Sequence, residues 1–299
     1  MLVATALTGS RSWSGEGVSI ADVERQLGAL RSAGTQDGAG PDMRTSVLTH
    51  LAWVPLQWER AAESVLEDLR ERHPSRTILL VPDPKSERDA IDAQVTIESF
   101  RLGGLEQSVA AEVVRLRLND GRARAPASVV LPLLIPDLPV FLRWRGEPEF
   151  FEGPFEQLVE VTDRLVVDTR EWDDLPTAYE SLAGFFDHVA VSDIVWARGT
   201  RWRAAIAQLW PGVAEAGNVF VRGPHADALL LAGWLRGRLK QEIGLEHENG
   251  DELEAVAVDG KDVEPAAEEP KSPSDLLSDQ LEIFGRDRIY EEAVAFSVR

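Results

Sequence analysis

Arg143 and Arg145 flank Trp144 at the end of an apolar run, and Asp168 stands at the end of a second strand-like segment that begins at Arg164. An arginine fork suits a phosphate or carboxylate, because two parallel N–H donors meet two oxygens. If both runs are strands, these groups lie at strand ends and can converge, so a sugar phosphate would be sought there first. Trp196 near Arg198, and Trp202 beside Arg201, repeat the pairing of tryptophan with arginine. Those two types are the most enriched at interface hot spots. Core packing accounts for most of the nine tryptophans, but Trp144 and Trp202 are candidates for partner contact. Replacing either by alanine is then expected to weaken association without unfolding the chain.

Catalytic motifs are scarce. The five histidines, at 50, 73, 188, 225 and 247, fall in no His-x-x-x-His or His-Glu-x-x-His frame, which gives a metal site little support. A Gly-x-Ser-x-Gly elbow, a phosphate-cradling Gly-x-x-x-x-Gly-Lys-Ser/Thr loop and a Gly-x-Gly-x-x-Gly after a strand are all missing from the sequence. Without cysteine, disulfides, thiol nucleophiles and thiolate metal sites are excluded. His73 precedes Pro74 at a helix end, where capping or packing is its expected role. The pairs Asp163-Arg164 and Asp168-Thr169-Arg170 flank a strand, and such carboxylates cap helices and pair with arginine as readily as they move protons.

The formal charge of −20 repels phosphate backbones and anionic lipid, and the arginines form pairs and triplets rather than a stripe. Nucleic acid and membrane surfaces are therefore not expected partners. The start of the chain lacks the basic region of a secretory signal, and no segment approaches ~18 uncharged apolar residues. Cytoplasm is the default expectation.

The elements that must position these residues follow from periodicity. Thr45–Val54, a helix over Trp58–Arg72 and Thr77–Val81 read as strand, helix, strand, the pattern of a parallel sheet. Ala93–Leu102 and Glu112–Leu118 alternate as strands with one wetter face. A short helix over Ala125–Leu133 and the rigid Pro136-Asp137 turn feed the strand Pro139–Trp144, apolar on both faces. Phe155–Val161 and Pro176–Asp187 read as helices around the strand Arg164–Asp168. Beyond Val191 come a bridging segment, helices over Thr200–Trp210 and Ala226–Lys240, and strands at Phe220-Val221 and Leu253–Val258. A last helix spans Leu276–Ala295. Residues 241–275 hold twelve acidic residues and two lysines, and the part around 259–275 reads as a mobile loop. The expected fold is α/β. After a flexible leader, 1–18, comes an N-terminal domain over 19–190 with a mostly parallel or mixed sheet flanked by helices. A smaller α+β domain covers 191–299.

The proline-rich stretch Pro132–Gly146 also carries a resemblance, shared in matching order by Arg44–Leu51, His73–Arg76, Asp163–Arg170 and Gly285–Arg288. Together these blocks resemble the glucose-6-phosphate dehydrogenase assembly protein family, OpcA, from about Ile20 to Val294. The resemblance implies a non-catalytic partner of glucose-6-phosphate dehydrogenase that promotes its active oligomer at the head of the oxidative pentose phosphate pathway. It also implies no cofactor of its own, NADP and glucose 6-phosphate belonging to the enzyme. A chain without cysteine carries no disulfide switch, so redox control would lie in the enzyme. Two other expectations stand beside it. One is an enzyme or sensor with a sugar-phosphate or nucleotide pocket at the C-terminal end of the first sheet. The other is a homo-oligomer held by the same tryptophans.

Overall fold

Five consecutive buried residues, Val140–Trp144, make the strand on which the proline-rich stretch converges. The computed structural model describes residues 4–36, 46–70, 72–73, 75–102, 108–151, 153–267 and 271–298. Within the resemblance blocks, Arg44, Thr45 and Pro74 lie outside the described residues, as do 268–270 of the acidic loop. The chain divides into two compact units, Met1–Leu165 and Val166–Arg299, earlier than the expected boundary at 190.

The first unit runs β1 (Ala4–Gly15), α1 (Ile20–Gln36), β2 (Thr49–Trp53), α2 (Glu59–Arg70), β3 (Arg76–Asp83), β4 (Ile91–Leu102) and β5 (Ser108–Asn119). It continues through the short helices α3 (Gly121–Arg124) and α4 (Pro126–Val130) to β6 (Val140–Trp144) and α5 (Gly153–Val159). β2 is parallel to both β3 and β6, and β5 is parallel to β3. β4 and β1 extend the sheet antiparallel. The strand order in this unit is β1-β4-β5-β3-β2-β6, and β7 (Arg164–Val167) and β8 (Ala190–Asp193) follow in the chain. β2 is buried at every position, as a central strand covered on both faces requires.

Two expectations for this unit are corrected. The supposed loose leader is largely β1, whose Ser, Thr and Gly suit an edge strand with little apolar alternation. The helix expected over 125–133 is split into α4 and a 3-10 turn, Leu131–Leu133, and is preceded by a separate short helix, α3. At the start of α1, Ser19 and Asp22 form a reciprocal cap, with Asp22 N donating to Ser19 Oγ at 3.2 Å and Ser19 N to Asp22 Oδ2 at 3.1 Å.

The second unit runs α6 (Leu175–Ala183), β8, α7 (Ile194–Arg198), α8 (Thr200–Ala207), β9 (Asn218–Gly223), α9 (His225–Leu239), β10 (Gly244–Asn249), β11 (Ala255–Val258), β12 (Lys261–Asp262), α10 (Pro273–Leu281) and α11 (Arg288–Ser297). A smaller sheet, β10-β9-β11-β12, shares a core with α8 and α9 through Trp202, Ile206, Val219, Val221, Leu231 and Val256. The bridging segment is a helix, α7, capped where Val195 N donates to Asp193 Oδ1 at 2.9 Å. Part of the acidic segment is the strand β10, parallel to β9. The single closing helix is two, because Asp287 caps a new start through Ile289 N and Tyr290 N, each at 3.0 Å.

Candidate functional site

In the first unit the register of β2 against β6 sets Trp53 opposite Trp144. Their rings stack with centroids 4.9 Å apart, and Phe155 of α5 meets Trp144 edge-on at 5.0 Å. Trp144 is only 5% exposed, so it packs the core at the strand end and offers no surface to a partner. Alternation turns Arg143 to the opposite face, where it too is buried and donates from Nη1 to the carbonyl of Trp144. On that face lies His50, also buried. Burial, with the nearby Arg143 and His73, pushes its pKa down to about 4, so the ring is neutral around pH 7.

Arg145 begins the exit. Its amide donates to the Trp53 carbonyl at 3.0 Å, and its guanidinium lies over the Trp58 ring, 4.7 Å from the centroid. Gly146 follows with φ of 83°, and a Cβ there would come within 3.1 Å of Trp58. Glycine is therefore required for the chain to turn under this ring. The family-like residues Arg76 and Asp163 have structural partners. Arg76 donates to Glu112 at 2.8 Å and to the Leu133 carbonyl at 2.6 Å, while Asp163 accepts from Val140 N at 2.8 Å. Glu112 also receives two bonds from Arg31. Burial pushes its pKa up, but the two arginines outweigh burial and hold it below the usual carboxylate value.

In the second unit Asp168 accepts from Arg198 Nη1 at 3.2 and 3.1 Å and from the Arg170 amide at 3.3 Å. Two sequence candidates thus meet, thirty positions apart. Arg170 forks onto Asp227 of α9, at 2.8 and 3.0 Å, and reaches Glu252 with Nη1 at 2.8 Å. Asp193, 1% exposed, accepts from Thr169 N and Oγ1 at 3.3 and 2.7 Å, from Val195 N, and from Tyr290 Oη at 3.4 Å. Burial first, then the charge of Asp168, pushes its pKa up to about 7.

Trp196 donates from Nε1 to Asp287 at 2.8 Å. Its ring is covered by Arg203, 3.4 Å from the centroid, rather than by Arg198; Arg203 Nη1 also donates to the Trp196 carbonyl at 2.7 Å. Burial brings the Arg203 pKa down to about 10, against the opposing charge of Asp287. Trp202 is 4% exposed and belongs to the core under the smaller sheet, which gives it, like Trp144, a packing role. Arg201 stands half-buried with its guanidinium 5.9 Å from that ring.

Sequence reading missed Asp193, Asp227 and the place of Arg203 over Trp196; it named Arg170 beside Asp168 but not its partner Asp227. One signal was available: Asp227 is the only acidic residue of the otherwise apolar and basic α9, and a lone buried carboxylate needs a cation. It also missed that His225 and His247 stack, centroids 5.1 Å apart. Among the described residues no group of three His, Cys, Asp or Glu side chains is placed to hold a metal ion, and no helix is long and apolar enough to cross a membrane.

The fold and these clusters define a two-unit α/β protein in which Asp168, Arg170 and Arg198 engage partners of opposite charge, Arg143 the backbone, and Arg145 and Arg203 tryptophan rings. Two family models match in series: the glucose-6-phosphate dehydrogenase subunit N-terminal domain over residues 66–184, and the corresponding C-terminal domain over 189–294. The chain belongs to this family, OpcA. Similar proteins, each named as a candidate OxPP cycle protein OpcA, occur in Synechocystis sp. (23% identity, 62% of this chain, 41% of that one), Nostoc punctiforme (25%, 62% and 43%) and Synechococcus elongatus (24%, 78% and 55%). The alignments thus span about half the length of those relatives.

Proposed function

We propose that this protein is a non-catalytic assembly subunit that binds glucose-6-phosphate dehydrogenase and promotes its active oligomer in the oxidative pentose phosphate pathway, in the cytoplasm. The observation that carries this reading is the pair of family models, both described as dehydrogenase subunit domains, lying end to end over 66–184 and 189–294. The OxPP name of the relatives agrees with it. The non-catalytic part is supported by the side chains. Asp168, Asp193 and Asp227, the carboxylates best placed for acid–base work, each accept hydrogen bonds from the protein itself. On this reading NADP and glucose 6-phosphate bind the enzyme, and this chain contributes surface. Of the tryptophan and arginine candidates, Arg145 and Arg201 stand at half-buried positions, while Trp144 and Trp202 lie in the core.

The test is the activity of the dehydrogenase from the same organism with and without this protein, alongside size exclusion of the mixture. A larger complex with higher turnover or lower KM is expected. No co-elution and no change in rate, with an active enzyme, would sink the reading. Thermal-shift screening against sugar phosphates and nucleotides would then take priority, since a ligand bound to the native state stabilises it in proportion to RT ln(1 + [L]/Kd).

A further inference from the structure

From Ala204 to Ala214 the chain carries no charged residue, although charged residues make up 27% of the whole. Within it Ala205 and Ile206, with Trp202 before them, sit in the core under the smaller sheet, and Val213 and Ala216 rejoin it. Between them the chain comes to the surface, where Trp210 is 66% and Leu209 39% exposed. The turn is held by its own backbone. Leu209 N donates to Ile206 O at 3.0 Å, Trp210 N to Ala207 O at 3.3 Å, Val213 N to Leu209 O at 3.3 Å and Ala214 N to Pro211 O at 3.0 Å. A large indole on a hydrogen-bonded pedestal loses little freedom on binding. Trp210 is thus the exposed counterpart of Trp202, one buried and one presented by neighbouring stretches of the same helix and turn.

The ground just beyond the turn is acidic. Glu215 is exposed; Gly217 N and Asn218 N both donate to exposed Asp259, and the Asn218 amide side chain donates to exposed Glu246 at 3.1 Å. Gln241 reaches the Ala216 carbonyl at 2.8 Å, which brings exposed Glu242 to the same place. An apolar anchor next to such a rim selects a surface of opposite charge. A second copy is disfavoured, because it would bring up the same acidic rim and a further charge of −20. Trp210 and Leu209 alone also fall well short of the ~800 Å² per partner of a stable interface.

We propose that Trp210, with Leu209 beside it, is the anchor by which this protein docks a partner protein whose surface offers an apolar pocket edged by lysine or arginine. This deepens the assembly reading and rests on it, the dehydrogenase being that partner.

The experiment compares full-length wild type, Trp210→Ser and Trp210→Phe for binding to the dehydrogenase by biolayer interferometry. Thermal melts and light-scattering masses of each protein alone accompany it. The expected result is unchanged melting, a dissociation constant raised at least about tenfold by serine, and most of the affinity kept by phenylalanine. Equal binding by wild type and Trp210→Ser overturns the anchor and leaves the assembly reading standing. No binding by wild type removes both. A wild-type dimer that Trp210→Ser dissociates makes a second copy the occupant, and a lowered melting temperature makes Trp210 structural; either result overturns the proposal.

Discussion

Asp193 is a carboxylate held in the protein interior among donors that belong to three separate elements: Thr169 after β7, Val195 at the start of α7 and Tyr290 of α11. Its pKa moves from the ordinary 3.8 up to about 7, so between those values the folded state holds a proton that the unfolded chain has released. Stability must then fall as pH rises through this window, by up to about 1.4 kcal/mol per pH unit, and level off above it. That is opposite to the usual salt-bridged carboxylate. Asp193→Asn keeps an acceptor oxygen and removes the titration. Urea unfolding at pH 5.5, 6.5, 7.5 and 8.5 should show wild type losing stability relative to the variant up to about pH 7.5, and parallel curves beyond. A gap that instead stays constant from pH 5.5 to 8.5 would mean the carboxylate is ionised throughout that range. None of this geometry was legible beforehand. Sequence shows that Asp168 and Arg198 are the right types, but only the fold brings residues thirty apart into one ion pair and leaves Asp193 surrounded by neutral donors.

At the scale of elements, the parallel unit β2–α2–β3 and the strand β6 were readable, because buried strands announce themselves as apolar runs between breakers. β1 and β10 were not. Both are edge strands, and edges are protected by small or charged residues that read as loop: Ser and Gly in β1, Glu246 and Glu248 in β10. The α9 helix shows the same limit in another form. Its span was readable, but the work of its glycines was not. A Cβ on Gly233 would lie 2.1 Å from the Ala293 carbonyl, and one on Gly237 would lie 3.0 Å from Glu292, so α11 packs directly on the backbone of α9. In an isolated helix Gly→Ala stabilises by up to about 1 kcal/mol. Here Gly233→Ala should destabilise by about 1–3 kcal/mol or more, because backbone cannot rotate away as a side chain can. Thermal melting distinguishes the two signs: a raised midpoint would mean that α11 is not held against α9 at this distance.

For the molecule as a whole, charge and apolar anchor act over different ranges. The net charge of −20 is felt over about a Debye length, ~10 Å at 0.1 M salt and ~3 Å at 1 M, and so acts while partners are still apart. The indole of Trp210 acts only on contact. If a basic-edged dehydrogenase is the partner, the two contributions must separate in kinetics. Raising NaCl from about 0.05 to 0.5 M should slow association several-fold while dissociation changes little, whereas Trp210→Ser should speed dissociation at either salt concentration. The acidic side chains around the turn then supply encounter rate and the tryptophan residence time. An association rate indifferent to salt would confine the −20 charge to keeping the chain soluble. The anchor would then have to find its pocket without steering.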